Sequence, residues 1–232
     1  MNDLEIQSHI QDTWDDIAFS FDKTRKKPWK QCIDFIDKLP IDSVVGDFAC
    51  GNGRHSLEMA DQCKKIIGID ISKKLLLILK KKIMIKQNIE LMHGNLINIP
   101  LTNHCLDAVI YIAAIHNIPK KENRLKSLKE LHRVLKTDGK ALISVWSRHQ
   151  EKFKDADKNL EKININKEFL EPGDVFIYWN QDNLHIPRYY HLYDKEEIKD
   201  ELIQTGFKIL SINEEYISSK DKPDNYFIMV EK

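Results

Sequence analysis

The chain has 232 residues, 42% of them hydrophobic and 31% charged, enough for one α/β domain with a full core or two small domains. Its 36 Lys+Arg balance its 36 Asp+Glu, which excludes a strongly basic or acidic protein but not a local basic surface. The four cysteines form no Cys-x-x-Cys pair, which argues against a disulfide framework or a cysteine-rich zinc module.

The N-terminus, MNDLEIQSHIQD, is acidic and polar where a signal peptide is basic and apolar. No apolar run reaches the roughly 20 residues that span a bilayer. A reducing, cytoplasmic setting is the expectation.

Leu4, Ile6, Ile10, Trp14, Ile17 and Phe21 recur at near-helical intervals and predict an N-terminal helix over 3–20. The loop Lys23-Thr24-Arg25-Lys26-Lys27-Pro28-Trp29 follows, with Pro28 in the first turn of a second helix to about Leu39. Strands and helices then alternate. Strands are expected at 43–49, 65–70, 89–93, 106–114 and 140–146, and helices at 55–62, 72–86 and 122–135. Ser72 is placed to cap the middle helix. Apolar strands separated by helices predict a parallel sheet covered on both faces.

Residues 148–187 break this rhythm with Lys, Asn and Asp, then Pro172-Gly173 and the aromatic patch Phe176, Tyr178 and Trp179. They read as a partly mobile insertion near the mouth of a site. Arg188–Tyr193 resumes the pattern, followed by a helix at 195–205 and strands at 207–214 and 225–230, which suit an antiparallel hairpin at the sheet edge. One domain is expected over 1–232, with N-terminal helices to about residue 40.

The sharpest signal is the turn Asp47-Phe48-Ala49-Cys50-Gly51-Asn52-Gly53 after the first strand. Its glycines allow positive φ and close approach of a ligand, at the strand end where open α/β sheets bind ligands. Two cofactors compete for it. Gly51-Asn52-Gly53-Arg54-His55-Ser56 nearly matches a dinucleotide fingerprint, and Asp70 stands where a ribose-binding acid belongs. Asp47, however, would repel a pyrophosphate and attract the cationic methionine end of S-adenosylmethionine.

The string D-x-A-x-G-x-G resembles the first motif of class I methyltransferases, with Ala49 for the usual first glycine. Gly68-Ile69-Asp70 resembles the second motif, whose acid accepts the ribose hydroxyls, with Ile71 beside it. Gly94-Asn95-Leu96 stands where the family has an adenine-contacting acid, and 107–114 resembles the strand whose end, at Ala113, faces the transferred methyl. The fold implied is α/β, a seven-stranded Rossmann-like sheet with a C-terminal antiparallel hairpin.

Thr24-Arg25-Lys26-Lys27-Pro28-Trp29, His116-Asn117, Trp146 and Arg188-Tyr189-Tyr190-His191-Leu192-Tyr193 resemble the tRNA wobble-uridine methyltransferases. These esterify the carboxymethyl group on carbon 5 of uridine 34. The resemblance implies catalytic roles for Arg25, His116, Arg188 and Tyr190. It implies substrate contacts for Lys26, Trp29, Asn117, Trp146, His191 and Tyr193. It also implies tRNA as substrate and a small zinc-containing activator protein as partner. Core packing is the competing reading for Trp29 and Trp146, and a solvated surface charge for Arg25. The run Lys23 to Lys30 suits tRNA phosphates, whereas Lys80 to Lys82 reads as a solvated helix face. A small-molecule methyltransferase and a non-catalytic subunit are the rival readings.

Overall fold

In the computed structural model, which describes residues 3–84, 86–153 and 170–232, the five predicted parallel strands lie side by side in one sheet, the third of them at its edge. They are β1 (Val44–Phe48), β2 (Lys65–Asp70), β3 (Ile89–His93), β4 (Leu106–Ile112) and β5 (Leu135–Trp146). In β1, β2, β4 and the second half of β5 the apolar runs are buried on both faces, as central parallel strands require, whereas β3 is largely half-exposed. The helices α1 (Asp3–Thr24), α2 (Lys30–Ile36), α3 (Ser56–Met59), α4 (Lys73–Lys82), α5 (Lys121–Val134) and α6 (Lys195–Gln204) flank the sheet.

Two further strands form a separate antiparallel hairpin, β6 (Asp174–Trp179) with β7 (Ile186–His191). The last two, β8 (Lys208–Glu215) and β9 (Asn225–Glu231), complete the seven-stranded sheet in the order β3-β2-β1-β4-β5-β9-β8. The first five strands pair in parallel, and β9 runs antiparallel to both β5 and β8. The expected terminal hairpin is therefore present. Chain order reverses between β1 and β4, so the crevice above their carboxyl ends is the topological switch point, the place for a ligand.

Local chemistry explains most element ends. Ser72 caps α4, its hydroxyl accepting from the Leu75 amide at 3.1 Å. Asp194 and Glu197 close α6 with a capping box. Helix α1 runs four residues further than its apolar spacing predicts, and α2 starts after Pro28 because Trp29 is its cap. Strand β5 starts five residues earlier than expected, directly where α5 ends, because Leu135 pairs with Leu106 across a register shift. The segment read as an irregular insertion contains β6 in its described part. The rest of it, residues 154–169, lies outside the described residues.

Leu128, Leu131 and Val134 of α5 and Ile198 and Leu202 of α6 pack on one sheet face. Cys32, Phe35 and Ile36 of α2 and Met59 of α3 pack on the other. Helix α1 lies across α4, burying Ala18 against Leu75 and Ile78. No helix among the described residues is long and apolar enough to cross a membrane.

Candidate functional site

A cavity of about 490 Å³ opens at the switch point. Its floor is the turn after β1. Ala49, Gly51 and Gly53 all take positive φ, at 56°, 55° and 80°. An alanine at φ 56° costs on the order of 1 kcal/mol, so the residue that replaces a glycine is tolerated rather than favoured. Gly53 has no such latitude, because a Cβ there would lie 2.1 Å from Leu79 Cδ1 of α4. The turn thus brings α4 and β1 together and leaves Ala49, Gly51 and Asn52 facing the cavity.

Asp70 ends β2 at the cavity edge. Its carboxylate accepts from the Gly51 amide at 2.7 Å and the Ser72 amide at 2.8 Å, which fixes the turn against β2. Burial pushes its carboxyl up to about 6, against those two amides. Ile71, Leu75, Leu96 and Ile97 form an apolar slot beyond it, and Asn95 borders the slot. Asn95 spends one lone pair of its side-chain oxygen on the Ile97 amide, at 3.1 Å.

Helix α1 forms the lid of the cavity, presenting Ile10, Trp14, Phe21 and, just past its end, Arg25. Five polar contacts hold it down. Asp15 accepts from the Ser72 hydroxyl and the Lys74 amide, the Asn52 amide donates to Asp22 and the Arg25 carbonyl, and Lys82 pairs with Asp22. Lys82, exposed like Lys80 and Lys81 as a solvated helix face requires, also donates to Asp22 of α1 and to the Asn52 carbonyl.

The far wall is aromatic. Trp146 stacks on Tyr190 at 4.6 Å and 5°, and on Phe153 at 5.2 Å. Arg188 lies between this stack and α1. Its guanidinium donates to the Tyr190 hydroxyl and sits over the rings of Tyr190 and Trp179, both at 5.0 Å. Only 7% of Arg188 is exposed. Burial lowers its pKa, with Tyr190 opposing and Arg25 adding to the shift. No carboxylate pairs with Arg188, Arg25 or Arg54 among the described residues. Three cations thus meet here without a counter-ion, which equips the site for an anion.

The cavity gathers fourteen of the twenty sequence-predicted residues. Trp29 serves twice, lining the cavity while its ring packs on Phe227 at 5.5 Å. Ala113 and Asn117 follow β4 at the deep end, where the Asn117 amide donates to the Ala113 and Ala114 carbonyls.

Six residues stand elsewhere. Asp47 is buried under the turn, accepting from the Ser56 hydroxyl, and desolvation pushes it up to about 6. Gly53 is turned into the α4 contact, and Lys26 is exposed on a neighbouring groove. His116 is fully buried behind Trp146, whose backbone amide donates to its Nδ1 at 3.0 Å. The ring proton is therefore on Nε2, and burial, with His191 and Arg188 nearby, holds the imidazole neutral with a pKa of about 3. Expected from the sequence as a catalytic residue, it is not among the residues that line the cavity. His191 is buried between Asp174 and Glu197, at 2.7 and 2.9 Å. The Tyr193 hydroxyl donates to Glu201 in the core. These last two residues serve the hairpin's buried ion network, not the cavity.

Sequence reading missed Trp14, Arg54, Phe153 and Asp224, all of which line the cavity. Arg54 stood inside the glycine motif, unremarked. Asp224 gave no local signal. It accepts from the amides of Ile217, Ser218 and Ser219, which hold its carboxyl well below the usual range against the effect of burial.

A seven-stranded sheet of this order, with a glycine turn and a strand-end acid at its switch point, is the class I methyltransferase fold. The methyltransferase domain family matches residues 46–143. A SAM-dependent methyltransferase of Methanosarcina mazei superposes with a TM-score of 0.72 at 18% identity, covering 89% of this chain and 98% of that one. A Haloferax volcanii methyltransferase, solved in complex with the Trm112 methyltransferase activator, gives 0.68 at 13%, covering 96% of each.

The chain is similar to proteins named tRNA (carboxymethyluridine(34)-5-O)-methyltransferase. It is 36% identical to the Xenopus tropicalis protein of that name over 67% of this chain and 24% of the relative. It is 28% identical to the Schizosaccharomyces pombe protein over 99% of this chain and 100% of the relative. The chain spans about a quarter of the length of the Xenopus relative.

Proposed function

We propose that the chain methylates the carboxymethyl group of 5-carboxymethyluridine at position 34 of tRNA, with S-adenosylmethionine as donor. One observation carries this reading: Arg188, a buried guanidinium with no acidic partner among the described residues, is set beside the stacked Trp146–Tyr190 pair in the cavity at the switch point. A carboxylate on a planar base needs this combination, a cation for bidentate hydrogen bonds and rings for stacking. The relatives' names support the same substrate.

The residues fit the donor. Asp70 offers free lone pairs to ribose hydroxyls, the slot of Ile71, Leu75, Leu96 and Ile97 suits adenine, and the turn at Ala49–Gly51 allows close approach. When bound, S-adenosylmethionine supplies a methyl carbon on a sulfonium. The acceptor carboxylate has a pKa near 4 and is ionised already, so no side chain has to remove a proton. His116 is thus free to remain a neutral packing group behind Trp146. Arg188, with Arg25 nearby, positions the carboxylate. Trp14 and Phe21 of α1 exclude water. Asn117 and Ala113 shape the end of β4 against the acceptor.

The same reading includes a small zinc-containing activator protein that covers a sheet edge. The H. volcanii complex with an activator supports it, as do the edge positions of β3 and β8. Coexpression with such a protein should raise solubility and activity.

The decisive test is nucleoside analysis of tRNA from a deletion strain, with labelled methyl transfer to that tRNA by the purified chain. Loss of 5-methoxycarbonylmethyluridine and its restoration in vitro are expected. Transfer to a metabolite alone would overturn the reading.

A further inference from the structure

Beside the main cavity lies a second, open groove of about 350 Å³. Arg25 and Arg54 line both, so their side chains form the partition between them. The remaining charges of the groove are Lys26, Lys82, Asp22 and Glu58. Four cations face two acids there, a surplus of two in a chain whose 36 basic and 36 acidic residues cancel.

The surplus is not spent internally. Lys82 and Asp22 neutralise each other. Arg54 makes no ion pair or hydrogen bond with any described residue. It is nonetheless half-buried, and its pKa is lowered, first by desolvation and then by Arg25, with Cys32 and Asp47 opposing. A desolvated guanidinium without a counter-ion costs stability. Its position is understood if an anion completes it.

We propose that this groove seats a backbone phosphate of the RNA strand, next to the nucleoside whose base enters the main cavity. The inference rests on the proposed tRNA substrate and divides its anions between two places. The carboxymethyl carboxylate goes to the buried Arg188, which lines the main cavity and not the groove. A flanking phosphate goes to Arg54 and Arg25 in the partition, with Lys26 on the open side. A guanidinium suits this task because its planar fork binds two phosphate oxygens at once. The turn that carries Arg54 thereby serves the cofactor through Gly51 and the nucleic acid through the next side chain but two.

The test uses the full chain, a tRNA transcript carrying 5-carboxymethyluridine at position 34, and the variants Arg54→Gln and Arg54→Lys. Equilibrium binding of that tRNA is measured across a salt series, and S-adenosylmethionine binding by calorimetry. Arg54→Gln should weaken tRNA binding about tenfold at low salt and reduce the slope of log K against log salt by about one. Arg54→Lys should restore most of both. The KM for tRNA should rise more than kcat falls.

Two results would overturn the proposal. An unchanged salt slope in Arg54→Gln would remove the phosphate contact. A tenfold loss of S-adenosylmethionine affinity with the slope intact would give Arg54 to the amino-acid carboxylate of the cofactor. The salt slope is a binding measurement, so it reads the phosphate site even if no methyl reaches the tRNA. That second failure would fall on the proposed reaction instead.

Discussion

Arg188 and Tyr190 lie two residues apart on β7, and the guanidinium of the first donates to the hydroxyl of the second inside the cavity. The pair faces the site because side chains alternate along a strand. Tyr189 and His191, between and beyond them, face the other way, where both bond Asp174 of β6. One face of the hairpin therefore meets the ligand while the other is fastened to the protein.

Arg188→Met tests whether that cation is functional. Methylation of tRNA should fall on the order of 100-fold in kcat/KM, as for one or two lost charge-assisted hydrogen bonds. The melting temperature should not fall, because the variant removes a buried charge that no carboxylate among the described residues neutralises. A destabilised protein with retained activity would make Arg188 a structural residue.

Asp70→Ala should weaken S-adenosylmethionine binding tenfold or more by calorimetry. The wild type carries a related pH signature. Its carboxyl, pushed up to about 6 by burial, is protonated in acid and then accepts fewer hydrogen bonds. Affinity should therefore fall as the pH drops from 7 to 5. Flat binding over that range would place the ribose away from Asp70.

The strands were readable from sequence because a strand buried on both faces is an uninterrupted apolar run. β6 was not: Asp174–Trp179 is mostly apolar, but it follows a long polar stretch without strand periodicity and gains its order from pairing with β7. The motif turn was readable down to its glycines. What it could not disclose is long-range: that α1 folds back over it, and that Arg54 emerges on the partition of two cavities. His116 and Asn117 look alike in the sequence as a polar pair after β4. The single 3-10 turn at Ile115–Asn117 separates them, leaving Asn117 on the cavity and His116 in the core.

Asp47 allows a stability test. Desolvation raises it and Asp70 adds to the shift, while Ser56 and Arg54 oppose it. Its folded pKa of about 6 exceeds the ordinary aspartate value of 3.8, so the folded chain holds more protons than the unfolded one between those values. Stability from this group is then fullest in acid and falls as pH rises through that window. Asp47→Asn should stabilise the chain at pH 8, on the order of 1–3 kcal/mol, and add nothing at pH 4. Denaturant unfolding at both values decides it, and an equal change at both would mean that shape, not charge, governs the position.

The opposite sign holds for His191. Burial alone would lower its pKa, but hydrogen bonds to Asp174 and Glu197 outweigh this and leave it raised above 6.5. A histidine raised in the folded state contributes stability that is full below its unfolded pKa and is lost as pH rises through the folded one. His191→Gln should therefore cost stability at pH 6 and much less at pH 9. Its effect on catalysis follows from the alternation along β7: without the imidazole, Asp174 and Glu197 lose the cation between them, and the strand that aims Arg188 and Tyr190 is less firmly held. Expected is a fall in kcat larger at pH 6 than at pH 9, with S-adenosylmethionine affinity unchanged. A uniform loss of activity across pH, tracking the loss of folded protein, would reduce His191 to packing.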